Sequence, residues 1–154
     1  MLWRERFAHL AHWRVNLLAT DISNEMLERA RQGRYTQLEI DRGLPADSCA
    51  KYFRQEGRHW LIDEQLRTMV EFRVLNLIGN WPRLPPMDVV FLRNVLVYFD
   101  MPTKQEILKK VRTVLQPDGY LFLGGTETTL MIDDAFDRVA TASGSCYSPK
   151  SAHE

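Results

Sequence analysis

The stretch from Met87 to Asp100, MDVVFLRNVLVYFD, decides how the rest of the chain is read. Met87 to Leu92 is a short apolar run rich in β-branched and aromatic residues, with Pro85 and Pro86 just before it. Such a run predicts a fully buried strand of a parallel sheet, because parallel strands carry helices on both faces. The run then breaks into Arg93-Asn94, two polar residues at the carboxyl end of the predicted strand. In open α/β sheets that end is where ligands bind. Val95 to Phe99 resumes an apolar pattern, and Asp100 with Pro102 marks the start of another helix. The Arg-Asn pair is either a binding tip or a strand end whose side chains merely satisfy backbone groups.

Downstream, Pro102 to Leu115 predicts a helix with a sheet-facing stripe of Ile107, Leu108, Val111, Val114 and Leu115. Lys104, Glu106, Lys109, Lys110 and Arg112 form its solvated face. Pro117-Asp118-Gly119 ends this helix and turns into Tyr120 to Leu123, a second buried strand. Gly124-Gly125 then allows close backbone approach. Asp133 to Val139 is short and amphipathic, Cys146 to Lys150 predicts a final strand, and the tail from Ser151 is expected to fray.

Upstream, residues 2–12 place Leu2, Trp3, Phe7, Leu10 and Ala11 at helical spacing, an amphipathic helix that needs a sheet to lie against. Val15 to Ala19 predicts a strand with Thr20-Asp21 following its carboxyl end. Ser23 is placed to N-cap the next helix and Gly33 to end it, with Met26, Leu27 and Ala30 as the buried face. Between Tyr35 and Phe72 the strand–helix alternation is interrupted. Pro45 to Phe53 predicts a short helix, Trp60-Leu61-Ile62 a strand after the charged turn RQEGRH, and Met69 to Val74 a half-buried strand. The expectation is one α/β domain over 1–154 with a small antiparallel β-insertion over 35–72.

Composition narrows the function classes. The chain has 154 residues and a formal net charge of zero, which gives no electrostatic reason to expect nucleic acid or an anionic membrane as partner. No window approaches the roughly 20 apolar residues of a membrane span. Cys49 and Cys146 form no C-x-x-C pair, and two such thiols fit a reducing cytoplasm. His9, His12, His59 and His153 fit no metal-ligand spacing, so no metal is expected.

Two side chains stand out on chemical grounds. A carboxylate such as Asp21 at a strand tip binds both hydroxyls of a ribose well, or it caps the following helix as a local turn-former. Asn76, in Leu75-Asn76-Leu77, either offers its amide to an adenine edge or closes a turn with Gly79-Asn80.

RNVLVYFD (93–100) resembles the RNV-x-x-YF-D signature of CheR-type chemotaxis receptor methyltransferases. Further pieces match in order: ATDIS at 19–23, LNL at 75–77 and LQPDGYLFLGGTE at 115–127. The resemblance runs from about Val15 to Lys150. It implies a class I methyltransferase (Rossmann-like) sheet and S-adenosylmethionine as cofactor. It also implies methylation of glutamate side chains on the cytoplasmic helices of chemoreceptors. On the same ground Asp21 corresponds to the ribose-binding acid, Asn76 and Leu77 to adenosine contacts, and Asn94 and Val95 to the border of the methionine portion. Tyr98 corresponds to the residue beside the reactive methyl group. Methyl transfer to a carboxylate needs no general base, because glutamate, with a reference pKa of about 4.3, is ionised at neutral pH. The enzyme's task is alignment, which explains a site without triad or metal cluster.

The chain departs from the family in three places. Thr126-Glu127 replaces the usual Ser-Glu, and a Gly stands where His is frequent. RQEGRHW is shorter than the Gly-containing loop of members that dock a receptor tail, which argues against tail docking. No Gly-rich cofactor turn precedes Asp21. The strand that normally leads into that turn is central in the family's sheet, so its neighbours at 15–19 and 87–92 are expected to show unpaired edges. Unpaired buried backbone groups cost roughly 1–3 kcal/mol each. The expectation is therefore an amino-terminally truncated methyltransferase. A non-catalytic interaction module of a signalling pathway, keeping the sheet without the cofactor, is the alternative.

Overall fold

The computed structural model describes residues 1–10, 12–142 and 144–150. The chain divides into two compact units, Met1–Asn76 and Leu77–Glu154.

The first unit opens with α1 (Leu2–Arg6) and a 3₁₀ turn (Ala8–Leu10). The predicted helix over 2–12 is therefore broken. Leu2 and Phe7, expected in its buried stripe, are exposed, and Ala11 and the Trp3 side chain lie outside the described residues. A helix this short is little more than its own nucleus and has few bonds to repay the ordering of its backbone. β1 (Leu17–Asp21) starts two residues later than predicted. Thr20 and Asp21 belong to the strand because its parallel pairing with β5 continues through them.

Ser23 caps α2 (Asn24–Gln32), its hydroxyl accepting the Met26 N–H at 3.3 Å, and Gly33 ends the helix with φ 63°. A Cβ on Gly33 would also stand 2.6 Å from Ile62 Cγ2, so both conformation and space require glycine. Leu27 is buried as expected, but Met26 is exposed.

β2 (Arg34–Thr36) leads into α3 (Gln37–Gly43), followed by α4 (Ala46–Tyr52), β3 (Phe53–Glu56) and β4 (His59–Ile62). β2, β4 and β3 form an antiparallel sheet in that order. α5 (Glu64–Arg67) then precedes β5 (Val70–Val74), which leaves that sheet and pairs in parallel with β1.

The second unit contains β6 (Met87–Leu92), a 3₁₀ turn (Leu96–Tyr98), α6 (Met101–Val114), β7 (Leu115–Leu123), β8 (Phe136–Thr141) and β9 (Gly144–Pro149). Its sheet order is β6-β7-β9-β8, with β6 and β7 parallel and the other pairs antiparallel. Phe136 to Val139, the later part of the segment read as short and amphipathic, belong to β8. β7 begins at Leu115, earlier than predicted, and its pairing with β6 shifts register between Met87 and Val89.

Asp100 caps α6 by accepting the Thr103 N–H at 3.0 Å. The α6 stripe of Ile107, Leu108 and Val111 packs with Leu92, Leu96, Leu115, Leu121, Phe136 and Tyr147 into the core of this unit. Only one face of β6 enters that core. Val89 and Phe91 point the other way and are exposed, Phe91 by 71%, with its ring stacked on Phe122 at 5.1 Å. The expectation of a strand buried on both faces is thus corrected: among the described residues of this unit no helix covers the Val89–Phe91 side. Among the described residues β6 pairs only with β7, and β1 only with β5.

Candidate functional site

In the first unit, Asp21 and Asn76 stand at the carboxyl edge of the same two-stranded sheet. Asp21 pairs with Val74, and its carbonyl accepts the Leu75 N–H at 3.0 Å, tying the two strand ends together just before Asn76. The Asp21 side chain splits its duties. Oδ1 accepts the Ser23 N–H at 2.8 Å, the local turn that sequence allowed. Oδ2 has no partner among the described residues, and the side chain is exposed.

The second unit begins at Leu77, which packs against the core beside Trp81 and Val95. Lys110 Nζ donates to the carbonyls of Leu77, Ile78 and Gly79 at 3.1, 3.2 and 2.9 Å, and Trp81 Nε1 donates to that of Leu77 at 3.2 Å. Lys110 is thus a clamp on the Leu77–Gly79 segment, and its assignment to a solvated helix face is corrected. A charged donor with three N–H groups is suited to gathering several carbonyls.

At the tip of β6 the chain turns sharply. Asn94 adopts φ 59°, a left-handed conformation that Asn tolerates better than most residues. Glu127 sits against this turn. Its Oε2 accepts the N–H groups of Asn94 and Gly124, both at 2.7 Å, while Oε1 accepts those of Val95 at 2.8 Å and Val97 at 3.3 Å. Partial burial raises the pKa of this carboxyl, but the four N–H groups lower it by more, and the balance lies below the usual carboxylate value. Tyr98, at the end of the 3₁₀ turn, is 81% exposed, so it is no core tyrosine. Beside these strand tips lies an open hollow of about 580 Å³, bordered by Phe91, Arg93, Phe122, Gly124, Glu127 and Tyr147.

Residues 1–144 match the family model described as CheR methyltransferase, SAM binding domain. The chain belongs to the CheR methyltransferase family. Chemotaxis protein methyltransferase 1 of Pseudomonas aeruginosa is 39% identical over 137 residues, which cover 88% of this chain and 50% of that protein. Chemotaxis protein methyltransferase of Escherichia coli is 37% identical over 128 residues, covering 80% and 44%. The chain thus spans about half the length of the curated relatives it matches. Among solved structures, the PH0226 protein from Pyrococcus horikoshii OT3 superposes with a TM-score of 0.51 at 17% identity, covering 94% of this chain and 76% of that one. That likeness concerns the fold alone. The α/β fold is that of the Rossmann-like methyltransferases, and the family's cofactor is S-adenosylmethionine.

Of the residues singled out in the CheR-like segments, Asp21 and Asn76 share one sheet edge in the first unit. Asn94, Val95 and Tyr98 share one turn in the second, and Leu77 sits under the Lys110 clamp. Sequence reasoning assigned no role to Glu127 and placed Lys110 on a solvated face. Both bind backbone groups more than 30 positions away, which leave no mark on side-chain patterns.

Proposed function

We propose that this chain forms the cofactor-binding part of a protein-glutamate O-methyltransferase. Its substrate would be glutamate side chains on the cytoplasmic helices of chemoreceptors, which makes the cytoplasm its place of work. The observation that carries this reading is the β6 tip: Asn94 held left-handed, Val95 beside it and Tyr98 exposed. This is the stretch in which the likeness to the family is most specific.

The residues present fit the parts of S-adenosylmethionine. Asp21 offers an uncommitted carboxylate oxygen suited to ribose hydroxyls, and Asn76 an amide suited to adenine edges. Leu77 and Val95 contribute apolar contact, Asn94 a side-chain amide for the methionine portion, and Tyr98 a phenol at the reaction centre. When bound, the cofactor supplies an electrophilic methyl group on a sulfonium. The chain's own work is to bind, orient and exclude water, since the accepting carboxylate is already ionised. No helix among the described residues is long and apolar enough to cross a membrane.

Calorimetry with S-adenosylhomocysteine tests the reading. The expected result is saturable heat at one site per chain. A folded sample giving no heat at millimolar ligand would end it.

A further inference from the structure

We propose that Glu127 is a positioning residue for the methyl-transfer site: by gathering four backbone N–H groups it fixes the turn that aims Asn94 and Tyr98. The inference rests on the reading of that turn as part of the cofactor site and adds to it the device that holds the turn in shape.

A carboxylate has about four lone-pair directions. Glu127 fills them with Asn94 and Gly124 on one oxygen and Val95 and Val97 on the other. Nothing is left over for accepting a substrate proton or binding a ligand, so Glu127 works through its neighbours. Three of the four donors lie in Asn94–Val97, the stretch that leads from the strand tip into the turn bearing Tyr98. With its N–H groups satisfied from one side by a single anion, the left-handed backbone at Asn94 is held in place.

Gly124 supplies an independent observation. A Cβ there would lie 2.7 Å from Glu127 Oε2 and 2.9 Å from both the backbone nitrogen and Nδ2 of Asn94. The tip of β7, the Glu127 carboxylate and the Asn94 side chain therefore converge on one point that only glycine leaves open. The same contact places the Asn94 amide against the β7 tip and defines its direction.

The requirement is for two equivalent acceptor oxygens, and this separates positioning from mere space-filling. Glu127→Gln has the same size and shape, so a packing role would tolerate it. The substitution turns one oxygen into an NH₂ that meets two N–H donors and cannot accept from them.

The test combines two measurements on the whole chain: calorimetry with S-adenosylhomocysteine, and amide hydrogen exchange. In E127Q, ligand affinity is expected to fall at least about tenfold. Exchange at Asn94, Val95, Val97 and Gly124 should quicken by a similar factor, while Ile107, Leu108 and Val111 in α6 stay protected as in the wild type. Wild-type affinity in E127Q overturns the proposal. So does a loss of α6 protection in step with affinity, because Glu127 would then be a general stabiliser. Should E127Q fail to fold, Gly124→Ala displaces the same carboxylate with one methyl group and is judged by the same criteria. A wild-type chain that binds no ligand refutes the cofactor reading itself and this proposal with it, a result distinct from equal binding by wild type and variant.

Discussion

Asp21 holds the entry to α2 with one carboxylate oxygen and leaves the other unengaged. The two duties can be separated by Asp21→Asn. The amide oxygen still accepts the Ser23 N–H, so α2 and its cap should persist, with thermal unfolding within a degree or two of wild type. The second oxygen becomes a donor and the charge is lost, so S-adenosylhomocysteine affinity should fall roughly tenfold, in line with about 1.4 kcal/mol for a charge-assisted hydrogen bond. Unchanged affinity in calorimetry would remove Asp21 from the cofactor site. At this scale the sequence was informative wherever a side chain's own chemistry carried the meaning: Asp21 and Asn94 at strand tips, Ser23 and Gly33 at helix ends; the left-handed backbone at Asn94 was not read from it. It was silent on the role of Glu127 and put Lys110 on a solvated face, because the partners of both are backbone groups brought near only by folding. The glycine at 124 was read as permitting close approach. Which atoms approach, Asn94 and Glu127, required the structure.

Among the elements, α6 was the most legible, because its cap, its proline and its apolar stripe agree with one another. Its N-cap, Asp100, follows the Tyr98 turn directly and has a pKa lowered by hydrogen bonds to the Thr103 hydroxyl and backbone N–H. Asp100→Ala should lower the urea midpoint of unfolding at neutral pH, because the Thr103 N–H loses its side-chain cap. A change near zero would mean that water replaces the carboxylate without loss. The elements that were misjudged failed for identifiable reasons. α3 was missed although Thr36 and Glu39 form a capping box, with the Thr36 hydroxyl accepting the Glu39 N–H and Glu39 accepting the Thr36 N–H. That signal was present in T-x-x-E but was masked by the expectation of a strand-rich insertion. β6 read as buried on both sides because apolar content alone cannot say which faces a fold covers. Phe91 and Val89 are apolar and exposed all the same.

For the molecule as a whole, the formal net charge is zero at pH 7, so near neutrality pH acts through individual carboxylates rather than through overall repulsion, and comparing wild type with a variant isolates one carboxylate in acid. Glu5, Glu39, Asp100 and Glu127 all have lowered pKa values, but only Glu127 is engaged by four backbone donors while partly buried. A carboxylate whose folded pKa is depressed stabilises the fold fully above its unfolded value, here 4.5, and loses that contribution as pH falls through the folded value. The Glu127 contribution should therefore be constant from pH 8 down to about 5 and disappear only in more acidic solution. Urea unfolding of wild type and Glu127→Gln at a series of pH values checks this. At pH 7 the variant should be less stable by about 1 kcal/mol, since Gly124 or Val95 loses its acceptor in a partly buried setting while water reaches exposed Asn94 and Val97. The two stability curves should then converge below pH 4.5, because protonation of the wild-type carboxyl does to the turn what the amide does permanently. Curves that stay parallel through the acid range would show that Glu127 binds its proton equally well folded and unfolded. The four short N–H contacts would then lack the energetic weight that their geometry implies.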